Sequence, residues 1–328
     1  MKIIHKNAGI AMNSIPLTFN EHQIQRAIIG GKISSENVKM DISVILLNST
    51  GPQFHIPIIE NLLTCGFKSI ISIEPNNENF NIGNIAKKYP TVKFFIPLEQ
   101  TSVGELINAA VCELDSKCFL VLKDSLYIPS GFIMENLAEN LINEDIFCLV
   151  PRLFTKENLS APMHIIPRAE KGKFLMEQVS SVSDLMPTVF PYDFIGLYNL
   201  KKFINLGGFD YTITSSYWQL ADLSLRAWLW GEKINITTRF FIAYKENLPV
   251  FDGTPDLSYL RFYLKNILPR YKSNFAYISN FSFLNFLYHS SCGFFESLKQ
   301  FKDAKKWVKS NEYKFVQDLQ NFIESWKL

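Results

Sequence analysis

Three stretches of this sequence bring together side chains able to do chemistry. The first is Gly207-Gly208-Phe209-Asp210, followed by Asp222-Leu223-Ser224-Leu225-Arg226 and then Gly231. Asp210 and Asp222 are carboxylates that can take a proton, and Trp218 and Gln219 between them offer an aromatic face and an amide. The second is Lys123-Asp124-Ser125, with Pro129 a few residues on. It sets an ammonium beside a hard oxygen donor, so it can meet an anion or contribute to a divalent cation site. The third is Pro191-Tyr192-Asp193-Phe194-Ile195-Gly196, which adds a further carboxylate. Each stretch also has a plainer explanation. Asp222 and Arg226 stand at i,i+4 and form an ordinary intrahelical pair, strand-end turns collect Asp and Ser, and paired glycines close helices.

These residues need elements to hold them. Ile42–Leu47 is an unbroken β-branched and aliphatic run ending at Asn48-Ser49-Thr50-Gly51-Pro52, as a strand covered on both faces of a parallel sheet does. Pro57 to Cys65 has helical spacing and closes at Gly66. A second strand, Ser69–Ile73, ends at Glu74-Pro75-Asn76-Asn77. A helix over 82–88 leads to a third strand at Val92–Ile96, and a helix over 102–114 leads to a fourth at Cys118–Leu122, just before Lys123. Further strands are expected at 146–150, 163–167 and 233–243, with a helix over 217–230 on which Leu220, Leu223 and Ala227 share a face. Strands alternating with helices mean an α/β architecture with ligands at the carboxyl ends of the strands. Beyond Pro249 the pattern turns helical, over 257–268, 279–301 and 303–326. Its aromatics Phe281, Phe283, Phe286, Tyr288, Phe294 and Phe295 are expected to pack on the main domain, with a membrane surface or a partner as the alternative.

Composition narrows the classes. A net charge of +2 over 328 residues leaves no overall electrostatic footprint for nucleic acid. The five cysteines match no zinc spacing and the five histidines include no i,i+4 pair, so a Cys/His metal centre is not expected. No run approaches the ~18 apolar residues of a membrane span, and the N-terminus lacks an apolar signal core. These features lead us to expect a soluble, cytoplasmic protein with reduced cysteines.

The order of the motifs resembles family 2 glycosyltransferases, which have the GT-A fold. There Gly-Gly-Phe-Asp precedes Glu-Asp-x-Asp-Leu-x-Leu-Arg, and a strand ends in Leu-Asp-x-Asp-x-x-x-Pro. The resemblance covers roughly residues 41–243 and is clearest at 207–231. It implies a nucleotide-sugar site from Asn48, Glu74, Asn108 (in Gly104-Glu105-Leu106-Ile107-Asn108), Lys123, Asp124 and Ser125. It also implies an acceptor site around Gly208, Trp218, Gln219 and Arg226. This sequence departs from the family at the chemistry itself. Lys123 and Ser125 stand at the two carboxylate positions, Ile107 replaces an arginine, and Gln219-Leu220 stands where the Glu-Asp pair with the general base belongs. Two ways of holding a diphosphate follow: Asp124 contributes to an Mg2+ or Mn2+ site, or Lys123 replaces the metal. The base then falls to Asp222, Asp210 or Asp193.

The expected architecture is a GT-A-like, mostly parallel sheet flanked by helices. We expect an N-terminal appendage (1–40), the glycosyltransferase domain (41–250) and a helical extension (251–328). The expected function is transfer of a sugar from a nucleotide diphosphate to a glycan, lipid or protein acceptor, inverting if it follows the family. The rival is a catalytically silent GT-A-like binding module in a glycan-assembly complex. Peripheral contact at the inner face of a membrane is compatible with either. Nucleotidyl transfer fits less well, because no glycine-rich phosphate loop follows the first strand.

Overall fold

The computed structural model describes residues 2–4, 21–32, 38–49, 52–75, 82–170, 173–250, 252–290 and 293–326. Thr50-Gly51 and Asn76-Asn77, from the turns after the first two expected strands, lie outside them, as does Cys292. The strands are β1 (Lys2–Ile4), β2 (Arg26–Gly30), β3 (Met40–Leu47), β4 (Phe67–Ile73), β5 (Lys93–Pro97), β6 (Cys118–Lys123), β7 (Leu126–Tyr127), β8 (Cys148–Phe154), β9 (His164–Glu170), β10 (Lys173–Val179), β11 (Gly196–Asn199), β12 (Ile234–Tyr244), β13 (Arg270–Lys272) and β14 (Phe275–Tyr277). The helices are α1 (Pro52–Thr64), α2 (Ile82–Lys88), α3 (Val103–Val111), α4 (Glu135–Asn143), α5 (Leu200–Leu206), α6 (Ser216–Leu229), α7 (Leu257–Phe262), α8 (Ser282–His289), α9 (Phe294–Ser310) and α10 (Leu319–Ser325).

Among the described residues one mixed sheet runs in the order β1-β2-β5-β4-β3-β6-β11-β8-β12-β7. Its centre, β5, β4, β3 and β6, is parallel, while β11 is antiparallel to both β6 and β8. The central strands are apolar on both faces because helices cover both. Ile42, Val44, Ile45 and Leu46 of β3 and Phe119 to Leu122 of β6 are fully buried. Each such side chain contributes roughly 1.5–3 kcal/mol relative to exposure. Register sets up the site. Leu47 is opposite Ile73 on one side and Lys123 on the other, so β3, β4 and β6 end at one level and their turns open on one edge.

The apolar runs locate these central elements to within a few residues, and the C-terminal helices less well. The expected helix over 279–301 is two, α8 and α9, with Gly293 as the N-cap of the second. The hairpin β13–β14 carries Ser273 and Asn274 at positive φ in its turn and interrupts a stretch without clear strand alternation. The helix α7 continues as a π turn over Tyr263–Ile267. No helix among the described residues is long and apolar enough to cross a membrane.

Candidate functional site

A cleft of about 290 Å³ opens at the carboxyl ends of β3, β4 and β6. Leu47, Asn48, Ser49, Ile73, Val103 and Leu106 line one side, and Lys123, Asp124, Ser125, Asp193 and Tyr244 line another. Glu246, Asn247 and Pro249, beyond β12, complete it. Beneath Asn48 the Ser72 hydroxyl donates to Glu74 Oε1 at 2.6 Å, and Asn48 Nδ2 donates to Ser72 Oγ and Glu74 Oε1 at 2.8 and 3.1 Å. The buried Glu74 thereby ties the ends of β3 and β4 together and fixes the amide of Asn48 at the cleft.

Lys123, the last residue of β6, projects its ammonium to within 2.5 Å of Asp193 Oδ1. The other oxygen of Asp193 accepts from the Tyr244 hydroxyl at 3.3 Å. Burial, with Asp193 alongside, pushes the Tyr244 hydroxyl far above its ordinary pKa, so it stays a donor. The backbone that presents Asp193 is strained. Asp193 and Phe194 are consecutive non-glycine residues in the left-handed region, at φ 55° and 66°, a conformation that costs an L-residue about 1–2 kcal/mol. Packing holds it in place, since the Phe194 ring lies 5.4 Å from Phe209 and the Tyr198 hydroxyl donates to the Phe194 carbonyl at 2.9 Å. Strain kept by surrounding contacts is a recurring property of residues positioned for function.

The donor set here does not suit a divalent metal. Among the described residues no group of three or more His, Cys, Asp or Glu side chains could hold one. Asp124 is the carboxylate at the loop, and both its oxygens are engaged. Ser49 N donates to Oδ2 at 2.9 Å and Ser49 Oγ to Oδ1 at 3.0 Å. Asp124 therefore latches the turn after β3 to the turn after β6, while Lys245 donates to its backbone carbonyl at 3.0 Å. A hard cation needs several oxygens converging on one point, and the Lys123 ammonium lines the same cleft.

The motifs around Gly207 build a different, closed arrangement. Gly207 and Gly208 take φ of 83° and 62°, which ends α5 and turns the chain back. Phe209 is then bracketed by Asn108 of α3, whose amide donates to the Phe209 carbonyl at 2.8 Å and accepts from its N–H at 3.0 Å. Gln219 accepts from Gly104 N at 2.9 Å and donates to Ser102 Oγ and the Asp210 carbonyl. A methyl group on Gly104 would lie 2.6 Å from the Gln219 amide and 2.7 Å from Phe209 Cβ, so glycine is what lets α3 approach α6. Arg226 caps the end of α5 through the carbonyls of Leu206 and Gly208, at 2.9 and 2.7 Å.

Deeper still, Lys265 lies between Asp210 and Asp222, at 2.8 and 2.9 Å, all three buried. Arg226 and Asn266 complete Asp222 at 3.0 and 2.7 Å, and Thr212 completes Asp210 at 2.6 Å through its hydroxyl. Burial works to raise the pKa of Asp210, but Lys265 and Arg261 outweigh it and hold the carboxyl below its usual value. Trp307 of α9 covers the group, with Lys265 Nζ 4.9 Å from its ring.

The sequence-derived candidates thus divide into two sets. Asn48, Lys123, Asp124, Ser125 and Asp193 meet at the cleft, with Glu74 directly beneath. Asn108, Gly208, Asp210, Trp218, Gln219, Asp222 and Arg226 face one another or the core, because their polar atoms stitch α3, α5 and α6 together. Trp218 is packed among Tyr217, Tyr259 and Phe262 and donates to the Thr254 carbonyl at 3.1 Å. Sequence reasoning missed Tyr244, at the end of a strand, and Lys265, in an otherwise ordinary helical stretch. A lysine among Tyr263, Leu264, Asn266 and Ile267 gives no signal unless its acidic partners are already known to be buried.

No protein-family profile matches the sequence, and no curated protein matches it. Solved structures do. The structure of GalNAc-T7 with UDP, GalNAc and Mn2+ aligns with a TM-score of 0.61 at 13% identity, over 89% of this chain and 57% of that one. This chain therefore spans little more than half the length of that neighbour. A mannosyltransferase from Pyrobaculum calidifontis, PcManGT, in complex with GDP-Man and Mn2+, aligns at 0.45 with 8% identity, over 82% and 70% of the two chains. At such identity the likeness to GalNAc-T7 is one of fold: the mostly parallel, helix-flanked sheet described above is GT-A-like.

Proposed function

We propose that this protein transfers a sugar from a nucleotide-diphosphate donor to a hydroxyl of a glycan, lipid or protein acceptor. The observation that carries the proposal is Lys123. It is a cation held at the carboxyl end of β6 on the wall of a cleft, where the family 2 pattern expects a metal-binding carboxylate. The fold shared with GalNAc-T7, solved with UDP, GalNAc and Mn2+, supports a nucleotide-sugar ligand for that cleft. In this reading Asn48, held by Glu74, meets the nucleoside. Lys123 takes the diphosphate directly, with the Ser125 hydroxyl as a further donor, and no metal is needed.

Asp193 is the base of choice, because it lines the cleft while Asp210 and Asp222 are enclosed by their cations. In the absence of ligand Lys123 neutralises it. A diphosphate, carrying more charge than one carboxylate, draws Lys123 away and leaves Asp193 free to accept the acceptor hydroxyl's proton. The acceptor oxygen then bonds to the anomeric carbon as the bond to the diphosphate breaks. The departing charge is met by Lys123. This is a single, inverting displacement, as the family 2 resemblance implies.

Calorimetry of UDP and GDP binding in EDTA tests the reading. The expected result is binding that EDTA does not weaken and that Lys123→Ala reduces roughly tenfold or more, as loss of a charge-assisted contact does. Binding abolished by EDTA would overturn the role of Lys123, and no binding of either nucleotide would overturn the function. A second reading, a catalytically silent glycan-binding module, draws on Leu220, an apolar buried residue at the family's base position. Nucleotide binding without turnover of any donor in the presence of acceptors would favour it.

A further inference from the structure

The segment that follows β12 has no regular structure, yet both its ends are tied to the cleft. At its start Lys245 N donates to the Ser125 carbonyl at 2.9 Å and Lys245 Nζ to the Asp124 carbonyl at 3.0 Å. At its end the Pro249 carbonyl accepts from the Tyr192 hydroxyl at 3.3 Å, next to Asp193. Between these ties Glu246 and Asn247 are exposed and line the cleft. Among the described residues neither side chain has a hydrogen bond or an ion pair. Asn48, Ser49, Lys123, Asp124, Asp193 and Tyr244, by contrast, are all engaged with other protein groups. The cleft therefore carries one carboxylate and one amide that are held in place by their backbone and left open to a ligand.

The order of the elements says which part of a ligand these two would meet. Across the sheet β3, β6, β11, β8 and β12 stand in that order. Asn48 follows β3, Lys123 ends β6, Asp193 precedes β11 and Glu246 follows β12. A nucleotide sugar is also linear: nucleoside, diphosphate, sugar. With the nucleoside at Asn48 and the diphosphate at Lys123, the ring falls past Asp193, against Glu246 and Asn247. Charge gives the same placement. A diphosphate against the Glu246 carboxylate would meet like charge, whereas sugar hydroxyls are donors that a carboxylate accepts, and an amide both donates and accepts. Lys123 is the one cation among the described lining residues, since Lys245 turns its ammonium to the Asp124 carbonyl. Once Lys123 meets a diphosphate, this end of the cleft holds two carboxylates and no cation. We propose that Glu246 and Asn247 form the site for the donor's sugar ring, and that Glu246 restricts it to uncharged sugars and rejects uronic acids. The proposal rests on the nucleotide-sugar reading above.

Calorimetry with matched donors tests it: UDP-glucose against UDP-glucuronate, and GDP-mannose against GDP-mannuronate, on the base whose bare diphosphate binds. The native chain is expected to bind the neutral member roughly tenfold or more tighter than the acid, as like-charge rejection demands. Glu246→Gln should narrow that gap to roughly threefold or less by tightening the acid, with the bare diphosphate bound no more weakly. Its thermal unfolding should match that of the native chain, because the side chain is exposed. An acid bound as tightly as its neutral partner by the native chain would overturn the proposal. So would a gap that survives Glu246→Gln. Both outcomes leave the nucleotide site standing, whereas failure of both UDP and GDP to bind would overturn the nucleotide-sugar reading and this proposal with it.

Discussion

The charge cluster around Lys265 and the one around Lys123 are built on different terms. Around Lys265 every carboxylate oxygen of Asp210 and Asp222 has a donor between 2.6 and 3.0 Å, and the three side chains are buried. Around Lys123 the pair with Asp193 sits on the wall of an open cleft, and the residue presenting the carboxylate is strained. The first arrangement is closed around its own cation. The second can exchange one anion for another. The contrast is instructive because Asp210 and Asp222, which match a known motif, lie in the first cluster, while Lys123, which departs from one, lies in the second. Here the shared motif marks how α3, α5 and α6 are joined, and the departure at Gln219 serves the same joint.

That contrast can be broken experimentally. The largest effect is expected from Asp222→Ala or Lys265→Met, each of which strands a buried charge and should cost about 3–5 kcal/mol in denaturant unfolding. A loss below about 1 kcal/mol would mean that the cluster is open to water.

Acid should remove part of the same stabilisation. Because the pKa of Asp210 is lowered on folding, its contribution is present in full above the unfolded carboxylate value of about 4 and is lost as pH falls through the folded value. Thermal unfolding should show this group's effect only below about pH 4, and Asp210→Asn should flatten that limb. Gly104→Ala should cost about 1–3 kcal/mol through the overpacked contact with Gln219, without altering the cleft. A neutral result would mean α3 can retreat.

The smallest change in stability is expected from Lys123→Ala and Asp193→Asn, within about 1 kcal/mol. The pair is partly solvated, and asparagine tolerates the left-handed backbone. Both should nevertheless abolish sugar transfer. A stability loss as large as that of Asp222→Ala would erase the distinction between the clusters.

The sequence made the central sheet legible because β3, β4 and β6 are buried on both faces and so read as unbroken apolar runs. The turns that follow them were legible for the same reason, which is how Asn48, Glu74, Lys123 and Asp124 could be placed near one another. What could not be read was orientation. Asp210, Asp222 and Asp193 are equivalent carboxylates in a string of letters, and only long-range packing decides which is enclosed. Lys265 comes from a segment 43 residues beyond Asp222, and no local propensity announces a buried lysine. The aromatics at 281–295 fit either core or surface, since helical spacing alone does not say which face finds a partner.

Lys265 also sets where the chain can be cut. A polypeptide ending near Pro249 would retain the sheet, the cleft and every motif discussed, yet it would fold around two carboxylates with no cation between them and no indole above. The C-terminal quarter therefore supplies a counter-charge to residues that precede it. Until it emerges, the preceding segment should remain loosely packed around Asp210 and Asp222.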